Sequence, residues 1–355
     1  MKKDRPYKIK HIKSWFNSAT GIQLVLLGLL GLAIIVSTGM GYIRIPFMDV
    51  IRIIIAKISG NSDLLKNFDE VLQVIVMDVR LPRILTAAIV GGGLSVSGAV
   101  FQGILLNPLA DPYTLGISAG AAFGASLAIL LNLGLGIYSI PLFAFAGAAT
   151  TLFLVIYLAY SGDAPAGGLS SNNLILSGII VSAILSAGIS FLKYLADEQV
   201  SIIIFWLMGS FASRTWTDVL LTLVCVGIGF LVAVFFARDL NLMSMGNRTA
   251  TSLGVNTRRL TLVLLITASL MAAICVSVSG IIGFVGLLVP HMMRFLAGPD
   301  NRRLLPLSML TGAILLLCAD TVTRAVLPHE IPIGILTALI GGPFFCYIFR
   351  KRHMA

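Results

Sequence analysis

The sequence predicts an all-α, polytopic membrane protein with about ten transmembrane helices and both termini cytoplasmic, and three observations predict it. First, about ten apolar runs, each long enough or nearly long enough to cross a bilayer, cover most of the 355 residues. A hydrocarbon core of roughly 30 Å needs about 20 helical residues, and a helix satisfies its own backbone there; the period-2 alternation of a barrel is missing. Second, charged residues are only 11% of the chain and hydrophobic residues 57%, against roughly 25% charged in an ordinary soluble domain. Third, the charges lie between the runs and are biased by side. With the N-terminus inside, 16 of the 25 Lys and Arg fall on inner segments, against the acids Asp4, Asp111, Asp163, Asp239 and Asp300. That distribution obeys the positive-inside rule, so the net charge of +10 reads as a topology signal. No aromatic-interleaved basic patch suggests nucleic acid.

Residues 1–21 are a basic inner segment, and the first span, 22–43, reads as an anchor rather than a cleaved signal peptide. The outer segment 44–83 carries Phe47, Val50, Ile51, Ile54, Ile55 and Ile58 at helical spacing around Asp49, Arg52 and Lys57. That pattern is an amphipathic helix along the outer interface or the protein surface. Spans follow at 84–106, 114–133, 140–160, 174–195, 218–236 and 260–278. The outer segment 196–217 includes an apolar stretch, Ile202 to Met208, with Trp206 and Trp216 near the headgroup level. The inner loop 237–259 places Arg238, Arg248, Arg258 and Arg259 around Thr249–Gly254, room for a short helix parallel to the membrane. The eighth run, 284–296, is too short to cross alone. It follows Gly280 and Gly283 and ends at Pro290, which predicts a half-length or broken helix backed by protein. Spans 307–326 and 333–349 complete one transmembrane domain over 1–355.

The 35 glycines suit helices that pack closely in lipid. Cys225, Cys275, Cys318 and Cys346 are isolated in apolar runs and read as small packing residues, without disulfide or metal spacing. Ser95-Val-Ser-Gly98 recurs as Ser277-Val-Ser-Gly280, and Leu105, Leu106 and Pro108 match Leu287, Leu288 and Pro290 at the same offset. This is either an internal repeat, common in transporters, or chance similarity among Gly/Ser/Leu-rich helices.

No Gly-x4-Gly-Lys-Ser/Thr segment cradles a nucleotide phosphate, and no His-Glu-x2-His, Gly-x-Ser-x-Gly or His/Cys cluster is present. The chain therefore reads as neither a hydrolase nor a metal enzyme, with no catalytic, cofactor or metal residue of its own. Ion-coupled carriers normally hold ionisable groups in mid-membrane, whereas these spans are nearly bare. The exception is Asp320 with Arg324, four residues apart and read as a structural pair on one helix face. An ion-coupled secondary transporter and an intramembrane enzyme remain the rival classes.

Seven blocks carry the sharpest signal. They are Arg80-Leu-Pro-Arg83; Gln102 with Asn107-Pro-Leu-Ala-Asp-Pro112; Leu115-Gly-Ile-Ser-Ala-Gly120-Ala121; Gly280 through Pro290-His291-Met-Met-Arg294; Ala319-Asp-Thr-Val-Thr-Arg324; Glu330-Ile-Pro-Ile-Gly334; and Gly341-Gly-Pro-Phe-Phe345. In this order the sequence, from about 44 to 350, resembles the FecCD or BtuC type of permease found in ABC importers of iron chelates and cobalamin. The resemblance implies a complex of two permeases, most simply a homodimer, with two ATPase subunits that hold ATP and Mg, fed by an extracytoplasmic substrate-binding protein. It implies a bacterial or archaeal cell (inner) membrane, and a siderophore or haem as cargo with cobalamin as runner-up. It assigns Arg80, Arg83 and Arg324 to docking of the binding protein, where Arg pairs carboxylates bidentately. It assigns Asn107, Leu109, Ser171 and Asn172 to a cytoplasmic gate, the Ser/Asn segment alternatively serving as a helix N-cap. Leu253 and Gly254 fall at the core of the loop that seats in the ATPase.

Overall fold

Helix α3 (Glu70–Ile104) is the axis around which the other helices gather. The computed structural model describes residues 19–60, 68–132, 136–161, 168–326 and 329–353; the basic segment 1–18 lies outside them. Asp69 caps the start of α3, its side chain accepting from the Val71 N–H at 3.1 Å. Pro82 has no N–H to give and would crowd the carbonyl four residues back. The chain absorbs this by winding Ile75–Arg80 as a π-helix, with the Leu81 N–H bonded to Val76 O. The span thus begins well before residue 84, and residues 70–83, expected in the outer loop, are helical. Arg80 and Arg83 sit within a helix rather than at its mouth.

Helices α1 (Ala19–Gly39) and α2 (Phe47–Ser59) precede this axis. In α2, Val50, Ile53 and Ala56 are buried while Ile55 and Ile58 are exposed, so the two faces meet different surroundings. After α3 come α4 (Ile117–Leu130), α5 (Ser139–Ala159), α6 (Ser171–Leu195), α7 (Val200–Leu207) and α8 (Trp216–Phe235). A two-residue ladder, Tyr160–Ser161 against Gly168–Leu169, joins α5 to α6. The inner loop forms α9 (Ala237–Met243) and α10 (Asn247–Ser252), followed by α11 (Thr257–Ser279), α12 (Val285–Ala297), α13 (Asn301–Ala325) and α14 (Ile333–His353). Helix α3 packs on α13, α11, α12 and α8, while α4, α5 and α6 form a second group joined to it through α11.

Glycine makes these contacts close. A Cβ at Gly98 would lie 1.7 Å from the Gly286 carbonyl oxygen, and one at Gly91 would lie 2.2 Å from that of Gly312. Water does not drive helices together in lipid, so backbone-to-backbone van der Waals contact takes over. Of the four cysteines, all free, only Cys275 is buried as a packing residue; Cys318 and Cys346 are exposed.

Seven helices among the described residues are long and apolar enough to cross a membrane, and three shorter apolar ones are Ile117–Leu130, Val285–Ala297 and Ile333–Tyr347. The chain is a multi-pass membrane protein. Helix α12 runs on through Pro290 to Ala297 rather than ending at the proline. The break before it is satisfied by protein: Arg214 Nη1 donates to Val278 O at 2.8 Å, the Ser210 N–H to Ser279 O at 2.8 Å, and Tyr113 Oη to Ile282 O at 2.7 Å. Tyr113 belongs to the turn that starts α4, so the two short helices begin beside each other, as irregular backbone inside a membrane requires.

The twin Ser-Val-Ser-Gly segments are not structurally equivalent. Gly98 lies inside α3, whereas Gly280 ends α11 at φ +72°. Leu105 and Leu106 follow a helix end, whereas Leu287 and Leu288 lie within α12. The likeness is one of composition.

Candidate functional site

Helices α3 and α13 run antiparallel, and five charged side chains cluster where the first half of α3 meets the end of α13. Asp320, 1% exposed, receives Arg83 bidentately, with Nε 3.1 Å from both carboxylate oxygens and Nη2 2.8 Å from Oδ1. Arg83 also donates to Glu330 at the edge of the cluster. Arg324 is 4.0 Å from Asp320 at its closest, and its Nε has no hydrogen-bond partner. The i,i+4 pair read from spacing is therefore present at 4.0 Å, but the Asp320 carboxylate accepts its hydrogen bonds from Arg83. Arg324 turns to the last turn of α1 and the chain that follows it, donating to Met40 O at 2.7 Å and Ser37 O at 2.9 Å. Arg80, 7% exposed, holds the same segment through Thr38 O at 2.8 Å and Ile43 O at 2.5 Å. Gly41 lies between the two guanidinium groups, where a Cβ would stand 2.7 Å from Arg80 Nη2 and 3.1 Å from Arg324 Nη1.

All three arginines singled out in the sequence thus come together, and each is engaged within the chain. Glu330, about half exposed, lines a cavity of about 240 Å³ with Arg83, Asp320, Phe205, Phe211 and Pro332. Trp216 closes the neighbourhood by donating from Nε1 to Met77 O at 3.0 Å.

Beyond the far end of α3, Asn107 Oδ1 accepts from the Leu109 N–H at 3.0 Å, fixing a turn whose Leu106 and Leu109 are exposed. The cap of α6 is Ser170, which accepts from the Asn173 N–H at 3.1 Å. Ser171 and Asn172 are left in the first helical turn without the capping role. The turn at 112–115 packs on α6 at Gly178, where a Cβ would lie 2.4 Å from Thr114 O.

The inner loop ends in an apolar knob. Leu253 is 58% exposed, and Gly254, at φ +90°, turns the chain back toward α11. An L side chain strains at that φ. A groove of about 570 Å³ opens beside it, lined by Asp239, Leu242, Leu253, Gly254 and Arg259.

Several contributors escape a sequence reading. Glu330 stands 247 residues from Arg83. Gln102 pairs across the core with Arg294, and Asn241 pairs with Asp300 and Asn301. Their signal is polarity beside apolar runs, which marks a residue without naming its partner.

Buried charge at one end, an exposed apolar knob at the other and a helical membrane body are the features that the comparisons with known proteins place in a family. The chain belongs to the FecCD transport family, whose profile matches residues 29–351. It is 39% identical over 341 residues to an uncharacterized ABC transporter permease, YvrB, of Bacillus subtilis, covering 95% of each chain. It is 44% identical over 285 residues to the cobalamin import system permease BtuC of Halobacterium salinarum, covering 80% of this chain and 76% of the relative. A solved structure described as an inward-facing conformation of a putative metal-chelate type ABC transporter superposes with TM-score 0.80 at 36% identity, over 93% of this chain and 99% of that one.

Proposed function

We propose that this chain is the membrane permease of an ABC importer that takes up a metal chelate, an iron siderophore or haem, handed over by an extracytoplasmic binding protein. The family match over residues 29–351 carries the reading, and the likeness to a metal-chelate type transporter supports the cargo. Cobalamin is the second reading, favoured by the 44% identity to a cobalamin permease. The chain crosses the cell membrane ten times in this reading, the seven long and three short apolar helices each counting once. Both termini then lie in the cytoplasm, and a second copy completes the pathway.

Energy comes from two ATPase subunits that bind ATP and Mg. The exposed Leu253 and the turn at Gly254 beside an open groove supply the contact. Asn107, Leu109, Ser171 and Asn172 form the inner constriction, small or neutral side chains that narrow a pore without holding a charge there. Arg80, Arg83 and Arg324 serve the binding protein from the opposite rim. Because all three already have partners, docking proceeds by exchange: incoming carboxylates replace the Thr38, Met40 and Ile43 carbonyls or Asp320 and Glu330 as acceptors. Arginine in a bidentate geometry favours a carboxylate over a neutral carbonyl.

Reconstitution tests the reading. The chain alone in liposomes is expected to move no haemin, ferric siderophore or cobalamin under a proton gradient. Adding its ATPase, its binding protein and ATP restores uptake of one of them. Uptake by the chain alone, driven by the gradient, would replace this reading with a secondary transporter.

A further inference from the structure

Helices α3 and α13 are fastened to each other at three levels. At the outer end, Arg83 clasps Asp320 with Nη2 at 2.8 Å from Oδ1. At mid-height, Gly91 and Gly312 bring the backbones together, a Cβ on either one lying within 2.4 Å of the other's carbonyl oxygen. At the inner end the fastening is indirect and runs through α9. Leu240, fully buried, fills the space beside Gly103 of α3, where a Cβ would meet it at 2.8 Å. The next residue, Asn241, grips the start of α13 with both arms of its amide. Its Nδ2 donates to Asp300 Oδ1 at 2.7 Å, and its Oδ1 accepts from the backbone and side-chain nitrogens of Asn301, each at 2.8 Å. Asp300 is itself the N-cap of α13, accepting from the Arg302 N–H at 3.0 Å.

The other face of α9 looks elsewhere. Asp239 and Leu242, which flank this pair, line the groove beside Leu253 and Gly254. One short helix therefore borders the open groove on one side and is joined to α3 and α13 on the other. Helix α13 has 25 residues, so at 1.5 Å per residue it extends about 37 Å. It carries Asp320 and Arg324 near its far end.

We propose that Asn241 is a positioning residue for transport: it joins the ATPase-facing loop to the α3–α13 pair, so that seating of the ATPase and docking at the outer charge cluster are read through one rigid unit. The inference rests on the importer reading above. A shift of α9 cannot be absorbed by sliding α3 past α13, because the Arg83–Asp320 clasp and the Gly91–Gly312 contact fix their register. It is carried instead by the hydrogen bonds of Asn241 to the cap of α13. Coupling between two sites is reciprocal, so binding protein at the outer rim acts on ATP hydrolysis through the same joint.

The test uses the full complex in liposomes, and its readout is the factor by which binding protein stimulates ATP hydrolysis, per assembled complex. Asn241→Asp keeps the size of the side chain and its acceptor for Asn301 but sets a carboxylate against Asp300. It is expected to cut the stimulation factor at least five-fold while basal hydrolysis stays within two-fold of wild type. The swap Asn241→Asp with Asp300→Asn restores the donor–acceptor pair with its charge moved across, and Asn caps a helix about as well as Asp. The swap is expected to return stimulation to within two-fold of wild type. Retained stimulation in Asn241→Asp, or a swap that fails to restore it, overturns the proposal. So does loss of assembly by Asn241→Asp, which would make the residue a folding staple. A wild-type complex that ignores its binding protein would instead sink the importer reading, an outcome visible before any variant is made.

Discussion

The two ends of the α3–α13 pair are built from opposite materials. The end proposed to face outward gathers three guanidinium groups and two carboxylates, with Asp320 and Arg83 almost wholly buried. The end proposed to face inward is held by neutral amides and a capping carboxylate, with apolar Leu253, Leu106 and Leu109 left exposed around it. Charges taken out of water need their partners, so the outer end is stiff and costly to disturb. Apolar groups left in water gain by being covered, so the inner end is ready to receive another surface. One end therefore stores electrostatic order, and the other offers a place to grip.

The sharpest way to break this contrast is Arg83→Ala. It strands Asp320, a buried carboxylate whose loss of partner costs about 3–5 kcal/mol. A large drop in detergent melting temperature is expected, with much of it recovered in Arg83→Met with Asp320→Leu. Equal melting of all three proteins would mean that the outer cluster adds no stiffness. Arg80→Gln comes next. It removes a charged donor from Thr38 O and Ile43 O, and hydrogen bonds to charged groups contribute about 1.5–3 kcal/mol each. Both melting temperature and binding-protein affinity should fall. A fall in melting alone, at low salt, would make Arg80 an anchor of the chain after α1 and remove it from docking.

Leu253→Asp probes the inner end. The side chain is exposed and supports no packing, so melting should stay within a degree or two of wild type. Affinity for the ATPase should weaken at least ten-fold, about 1.4 kcal/mol. A lower melting temperature with intact ATPase binding would reverse the roles given to the two ends.

The smallest effect is that of pH. Burial would raise the pKa of Asp300, but hydrogen bonds from Asn241 and the Arg302 N–H and the charge of Arg302 outweigh it, holding the group below its ordinary value of 3.8. A depressed pKa adds stability above the unfolded value that is lost only as pH falls through the folded one. Melting should therefore be insensitive to Asp300 between pH 7 and pH 5. The acid transition should begin below about pH 4 and move upward in Asn241→Leu. An unchanged acid midpoint in that variant would sink the joint as a source of the shift.

The membrane class, the approximate spans and the half-length α12 are legible in the sequence, because each follows from local hydropathy and length. Arg80, Arg83 and Arg324 are grouped in the sequence only by the family resemblance, and the fold brings the three side chains together. Their partners are not legible. Spacing pairs Arg324 with Asp320, and that ion pair is present at 4.0 Å, yet the Asp320 carboxylate accepts its hydrogen bonds from Arg83, 237 residues away. Pro82 reads as the start of a span, but a π-turn lets the helix run through it from Glu70. Ser171 and Asn172 read as cap or gate, and the hydrogen bond to Ser170 decides only the cap.

The division has one physical reason. Insertion into lipid depends on segment hydrophobicity and backbone satisfaction, which a chain carries within each stretch. Partner choice among buried polar groups depends on which helices touch. In this protein that is set by the close approaches at Gly91, Gly98, Gly286 and Gly312. The sequence by itself determined a helical membrane permease of its family; the tertiary structure alone decided which charge meets which, and tied Asn241 to the helix that carries them.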